Sequence, residues 1–182
     1  MWVDETFVRV DPEDRRRLAS GRLPRGTSRN QVCIATATDG KRAVFAVAGN
    51  GKPTKKGIAS ALIGHIEPGS TIVHDGERAH GLLIDSLGLA SEVHATAETR
   101  GLCDRENPMD PINDVHDKLK RFLRAHGSFK RSSLQGWLDL FAFIWNPPAS
   151  RYGKVLAFIE KAISKRERVK YRDVFKKRTD KS

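Results

Sequence analysis

Met1-Trp2-Val3-Asp4-Glu5-Thr6-Phe7-Val8-Arg9-Val10 is the stretch from which the rest of this chain is read. β-Branched and aromatic residues dominate it and mark a strand. Two adjacent carboxylates, Asp4 and Glu5, interrupt it in the middle. Successive strand side chains point to opposite faces, so Asp4 sides with Trp2, Thr6 and Val8, and Glu5 with Val3 and Phe7. If the strand is covered on both sides, one carboxylate must be buried, which is costly unless it is paired or holds a metal. The plainer alternative is an edge strand with both acids near solvent. Partner residues further along decide between the two.

Working outward, Asp11-Pro12-Glu13 predicts a short helix through Leu18, and 21–26 a loop. Arg15, Arg16, Arg17, Arg22, Arg25 and Arg29 make this region a basic flap, mobile when alone. Gln31–Thr38 and 42–48 read as strands joined by the hairpin signal Asp39-Gly40, giving an antiparallel meander with the first strand. Residues 54–66 have helical spacing. Residues 70–76, Ser-Thr-Ile-Val-His-Asp-Gly, read as a short buried strand stopping on Asp75 and a glycine. Open α/β sheets place their chemistry at such strand ends, although a turn-initiating Asp is the simpler account. Residues 77–87 predict a helix, 89–95 a strand and 96–109 irregular chain. Asp110-Pro111 then opens a well-marked helix, with Asp110 expected at the N-cap. Its apolar stripe is Ile112, Val115, Leu119, Phe122 and Leu123, beside a polar face of Asn113, His116, Asp117, Lys120 and Arg124. Ser132 or Ser133 is expected to cap a helix through Trp145, stopped by Asn146-Pro147-Pro148. A last helix carries Val155, Leu156, Ile159 and Ile163 before a basic tail, 165–182. There is no internal repeat, and the pattern gives one domain over 1–148 followed by a C-terminal helix and tail over 149–182.

The chain has 182 residues and a formal net charge of +11. Residues 1–117 hold 17 Asp/Glu against 15 Lys/Arg, whereas 118–182 hold 18 Lys/Arg against 5 Asp/Glu, so the excess is all in the C-terminal part. That asymmetry points to a polyanion, nucleic acid before a membrane surface or an acidic protein. No apolar run approaches the ~18 residues of a membrane span, and no signal peptide is visible. Two cysteines, Cys33 and Cys103, are too few for a zinc knuckle or a disulfide framework. A reducing, cytoplasmic compartment fits them.

Three strands, then helix–strand–helix–strand–helix, with acids on the first and fourth strands, is the ribonuclease-H-like order. The expected fold is α/β, a mixed five-stranded sheet flanked by helices with additional C-terminal helices. Within that order, 1–7 (Met-Trp-Val-Asp-Glu-Thr-Phe), 69–76 (Gly-Ser-Thr-Ile-Val-His-Asp-Gly) and 111–123 (Pro-Ile-Asn-Asp-Val-His-Asp-Lys-Leu-Lys-Arg-Phe-Leu) resemble the catalytic blocks of a DDE-type insertion-sequence transposase. The resemblance is to the group whose first block reads Val-Asp-Glu-Thr and whose third acid can be replaced by Asn, with Lys seven residues later. Residues 134–143 (Leu-Gln-Gly-Trp-Leu-Asp-Leu-Phe-Ala-Phe) and Asn146-Pro147-Pro148 are similar to that group's closing helix. Each block alone is weak; four in order at these spacings are specific.

The resemblance implies a catalytic set of Asp4, Asp75, Asn113 and Lys120. Asp4, Asp75 and Asn113 would hold two Mg²⁺ ions, or Mn²⁺, for phosphodiester displacement, since hard oxygen donors suit those cations. Lys120, two turns beyond Asn113, is spaced to meet a phosphate. Glu5 is expected to be a hydrogen-bonded structural residue, His74 and His116 to stand outside the cluster, and Trp2 and Phe7 to be core. The implied partners are insertion-sequence ends and target DNA, with a homo-oligomer in the active complex, no membrane, and a nucleoid-associated location. Family members carry a zinc ribbon and a helical DNA-binding region ahead of the first block, and no Cys-x-x-Cys occurs here. The expectation is therefore an N-terminally truncated catalytic domain. Two alternatives stand beside it: another ribonuclease-H-like nuclease such as a junction resolvase, and a DNA-binding remnant without catalysis.

Overall fold

Alternating β-branched and small residues build five strands, which the structure, a computed structural model describing residues 1–9, 11–126 and 130–164, joins in one mixed sheet. They are β1 (Trp2–Arg9), β2 (Gln31–Thr38), β3 (Ala43–Asn50), β4 (Thr71–His74) and β5 (Ala90–Val93). The order across the sheet is β3-β2-β1-β4-β5. β1 and β2 are antiparallel from Trp2 opposite Thr38 to Arg9 opposite Gln31, and β3 continues the meander with a bulge between Cys33 and Ile34. β4 runs parallel to β1, with Trp2 level with Val73, and β5 runs parallel to β4. This is the ribonuclease-H-like arrangement expected from the sequence.

Helices cover both faces. On one side α1 (Lys55–Leu62) and α2 (Gly81–Leu87) bury Ile58, Leu62 and Leu83 against Val3, Ala35 and Ala37. The short α3 (Thr96–Thr99) follows β5. On the other side α4 (Asp110–Ala125) and α5 (Leu134–Trp145) bury Val115, Leu119, Leu138 and Phe141 against Val32, Ile34 and Phe45. β1 is therefore a central strand covered on both faces, and the edge-strand reading of its acids does not hold. The chain divides into two compact units, Met1–Asn146 and Pro147–Ser182, the second contributing α6 (Arg151–Ser164).

Two local devices fix the layers. Gly57 lets α1 approach β3 so closely that a Cβ there would lie 2.1 Å from the Ala48 carbonyl oxygen. The edge strand β3 is closed by side-chain amides: Val47 N–H donates to Gln135 Oε1 at 2.9 Å, and Ala43 N–H to Asn146 Oδ1 at 2.9 Å. The Asn146 amide returns a hydrogen bond to the Ala43 carbonyl at 2.7 Å. Backbone groups that invite strand addition are thereby occupied.

Several expectations are corrected. The helix expected to run from Asp11 to Leu18 is only a 3₁₀ turn, Pro12–Asp14. The Asn30 side chain takes the Arg16 N–H and carbonyl, both at 2.8 Å, so these groups are tied across the loop and are not free for a helical ladder. Asp110 is the first residue of α4 and not its cap; Met109 holds the cap position, and Asn107 forms the turn by accepting from Met109 N–H. Ser133 precedes α5 without capping it, because its hydroxyl donates to the Lys130 carbonyl. The first strand is held centrally, with Val73 N–H donating to the Met1 carbonyl at 2.8 Å. Val10 and the expected tail 165–182 lie outside the described residues.

Candidate functional site

Parallel pairing of β1 with β4 decides where the acids meet. With Trp2 level with Val73, the parallel register brings Asp75, one residue past the end of β4, near enough to Asp4 for its charge to act there. Asp4 meets α4, while the Asp75 carboxylate also lies within 4.8 Å of two histidines on the other side of the sheet. Asp4 is 21% exposed. Burial is the main cause that lifts its carboxyl to about 7; its hydrogen bond to the Glu5 backbone opposes this, and the charges of Glu5 and Asp75 add to it. The buried Asp4 carboxylate thus lacks a full complement of positive charge.

α4 supplies the third side. Trp2 Nε1–H donates to the Pro108 carbonyl at 2.7 Å and ties the entry of α4 to β1. The buried α4 side chain set against Asp4 is His116, whose Nδ1 lies 3.6 Å from Asp4 Oδ2. Burial, and then Lys120, push the imidazole down to about 3, so it is neutral and this contact is not an ion pair. His116 Nε2 is buried without a hydrogen-bond partner, as is Oγ1 of Thr36, the residue opposite Asp4 on β2. Unpartnered buried polar atoms next to an under-compensated carboxylate are compatible with a bound cation and its water. Asn113, one turn before His116, is exposed, and Lys120, one turn after it, is half-buried. Asp114 pairs with Lys118 at 2.6 Å and Asp117 with Arg121 at 3.7 Å, so these acids of α4 are engaged along the helix.

The opposite face of the same strands holds a buried polar chain. Glu5 Oε1 and His80 Nε2 are 2.7 Å apart, His80 Nδ1 and His74 Nδ1 2.9 Å, and His74 Nε2 and Ser91 Oγ 2.7 Å. Burial works against a charge on His80, but the hydrogen bond and charge of Glu5, with the charges of Asp75 and Asp4, hold its pKa above the ordinary histidine value. Burial and the neighbouring His80 lower that of His74. His74, Asp75 and His80 offer ligand atoms within 4.8 Å of one another, a group that can hold a metal ion.

The structure thus sets Asp4 near Asp75 and puts Asn113 and Lys120 on the helix that packs over Asp4. Glu5 is hydrogen-bonded, as expected. His74 and His116 do not stand aside. Residue 116 falls on the stripe that α4 turns toward β1, and His74 is the last residue of β4, pointing into the α2 layer. His80 was missed. Its signal was the spacing His74-Asp75 with a second histidine six residues on, which carries meaning only once the turn after β4 folds back. Compared with known proteins, the chain matches no family model and no curated protein.

Proposed function

We propose that the first unit is the catalytic domain of a DDE-type insertion-sequence transposase, cleaving DNA strands and joining them to a target by metal-dependent phosphoryl transfer. One observation carries the reading. Asp4 on β1 and Asp75, one residue past the end of the parallel neighbour β4, come near enough for their charges to act on one another. The quoted sequence blocks give the family likeness, and the ribonuclease-H-like sheet is compatible with it.

The residues fit a hard divalent cation: the Asp4 carboxyl, lifted to about 7 by burial, lies near a second acid, Asp75, with unpartnered buried polar atoms on His116 and Thr36 beside it. Asp4 and Asp75 would hold Mg²⁺ or Mn²⁺, with Asn113 as a neutral oxygen donor. When bound, two such ions activate the attacking oxygen and stabilise the leaving one. The chain's own part is to orient. Trp2 fixes the entry of α4, the neutral His116 packs against Asp4, and Lys120, further along α4, would meet a phosphate oxygen.

Basic clefts at the end of the sheet where β1 finishes suit the DNA backbone. One is lined by Arg16, Arg29 and Arg131 with Asp14, Asn50 and Ser132, the other by Arg9, Arg15 and Arg25 among its residues. Such contacts give affinity without sequence information.

The test is nicking of a supercoiled plasmid, and joining of labelled ends, in Mn²⁺ or Mg²⁺. Asp75→Asn should abolish both while leaving DNA retention unchanged. An Asp75→Asn protein that nicks as fast as the parent would sink the reading. A DNA-binding remnant without catalysis is the second reading, favoured by the exposed Asn113, a neutral donor at the third position of the set. It predicts retention of DNA and no metal-dependent nicking by the parent chain.

A further inference from the structure

The buried histidine pair on the α2 face takes no part in that reading, and its geometry is that of a ligand set. His74 and His80 turn Nδ1 toward Nδ1 at 2.9 Å, with ring planes at 79°. Each ring has its far nitrogen held by an outer partner, His80 Nε2 by Glu5 Oε1 and His74 Nε2 by Ser91 Oγ, both at 2.7 Å. If the far nitrogens carry the protons, both Nδ1 lone pairs face one another across the gap. That arrangement is repulsive unless a proton or a cation lies between them. A carboxylate hydrogen-bonded behind a ligating imidazole is the usual support of a metal-bound histidine. Asp75 brings a carboxylate oxygen within 4.8 Å of both rings as the third donor.

We propose that His74, His80 and Asp75 bind a divalent transition metal of the zinc class through the two Nδ1 atoms and a carboxylate oxygen. Imidazole donors select zinc, cobalt, nickel or copper over magnesium, the reverse of the preference at Asp4. At metal–nitrogen distances of about 2.0–2.1 Å, a tetrahedral pair of nitrogens sits roughly 3.4 Å apart. The rings therefore need to part by about half an ångström, and the 3.2 Å hydrogen bond from Gly76 N–H to His74 Nδ1 is the contact that yields. The binding does not depend on the transposase reading, and its test uses no DNA.

The purified full chain is titrated with Co²⁺ and then Zn²⁺, in millimolar Mg²⁺ throughout. The expected result is a visible Co²⁺ band saturating at one equivalent, displaced by Zn²⁺ and unaffected by Mg²⁺. Asp4→Asn, on the other face of the sheet, keeps the band, whereas His74→Asn loses it. Glu5→Gln weakens affinity about ten- to a hundredfold, as loss of an outer partner does. A band that survives His74→Asn places the metal elsewhere and overturns the proposal, as does the absence of saturable binding by the folded parent. Should His74→Asn fail to fold, X-ray absorption of the zinc-loaded parent decides instead. Two imidazole nitrogens in the shell support the site, and fewer refute it. Loss of nicking by Asp4→Asn, the variant that keeps the cobalt band, tests the transposase reading separately.

Discussion

Asp4 bears the conflict between folding and binding most directly. Its carboxyl is lifted to about 7 by burial and by neighbouring acids, far above its value in an unfolded chain. Between roughly pH 4 and pH 7 the folded protein keeps a proton that the unfolded chain has released. Stability therefore falls as pH rises through that window, and the full penalty is present above it. Asp4→Asn removes the ionisation, so its melting temperature should exceed the parent's by several degrees at pH 8, with the gain vanishing toward pH 4. Differential scanning calorimetry at four pH values checks this; a variant less stable than the parent at pH 8 would show that the carboxylate is well compensated. The same linkage predicts that Mn²⁺ affinity rises from pH 6 to pH 8, because the cation must displace the Asp4 proton. A pH-independent calorimetric Mn²⁺ titration would contradict it. His116 gives a second residue-scale prediction. His116→Gln should lower metal-dependent nicking at least tenfold while the far-ultraviolet spectrum stays unchanged. Full activity in that variant would remove His116 from the site.

Elements hold the site through a few close approaches. Gly57→Ala forces a methyl against the Ala48 carbonyl, which at 2.1 Å neither backbone can absorb without α1 moving off β3. A loss of about 1–3 kcal/mol is expected, typical of overpacking, read from denaturant unfolding; an unchanged midpoint would mean that the helix shifts freely. Asn146→Ala strips the partners from the Ala43 N–H and carbonyl on the sheet edge. Its cost should be about 1–3 kcal/mol, with a greater tendency to associate through β3, visible by light scattering. Loop 11–30 teaches a related lesson. Its start predicts a helix, but Asn30, at the foot of β2, captures the backbone of Arg16 from fourteen residues away.

At the scale of the whole molecule, charge and sheet polarity act together. β1 and β4 run the same way, and the arginine-lined clefts lie where β1 ends. Duplex binding should be salt-sensitive, with log affinity falling steeply against log salt. Replacing Arg16, Arg29 and Arg131 together by Ala should flatten that slope by up to about three phosphate contacts, each worth roughly 0.9. Titrations on two unrelated duplexes check both points. A preference for one duplex that persists at high salt would reveal a specificity element. Among the described residues no helix is long and apolar enough to cross a membrane.

By itself the sequence determined the strand order, the meander, the main helices, and an aspartate on the first strand with another at the end of the fourth. These follow from local periodicity and from short connections, which a linear pattern records. Tertiary structure alone decided which face of β1 each acid meets, that His116 is the buried α4 side chain set against Asp4, and that His80 closes on His74. Those outcomes depend on the rotation of α4 about its axis and on the turn after β4. Both are set by packing against the sheet, where residues distant in the chain become neighbours.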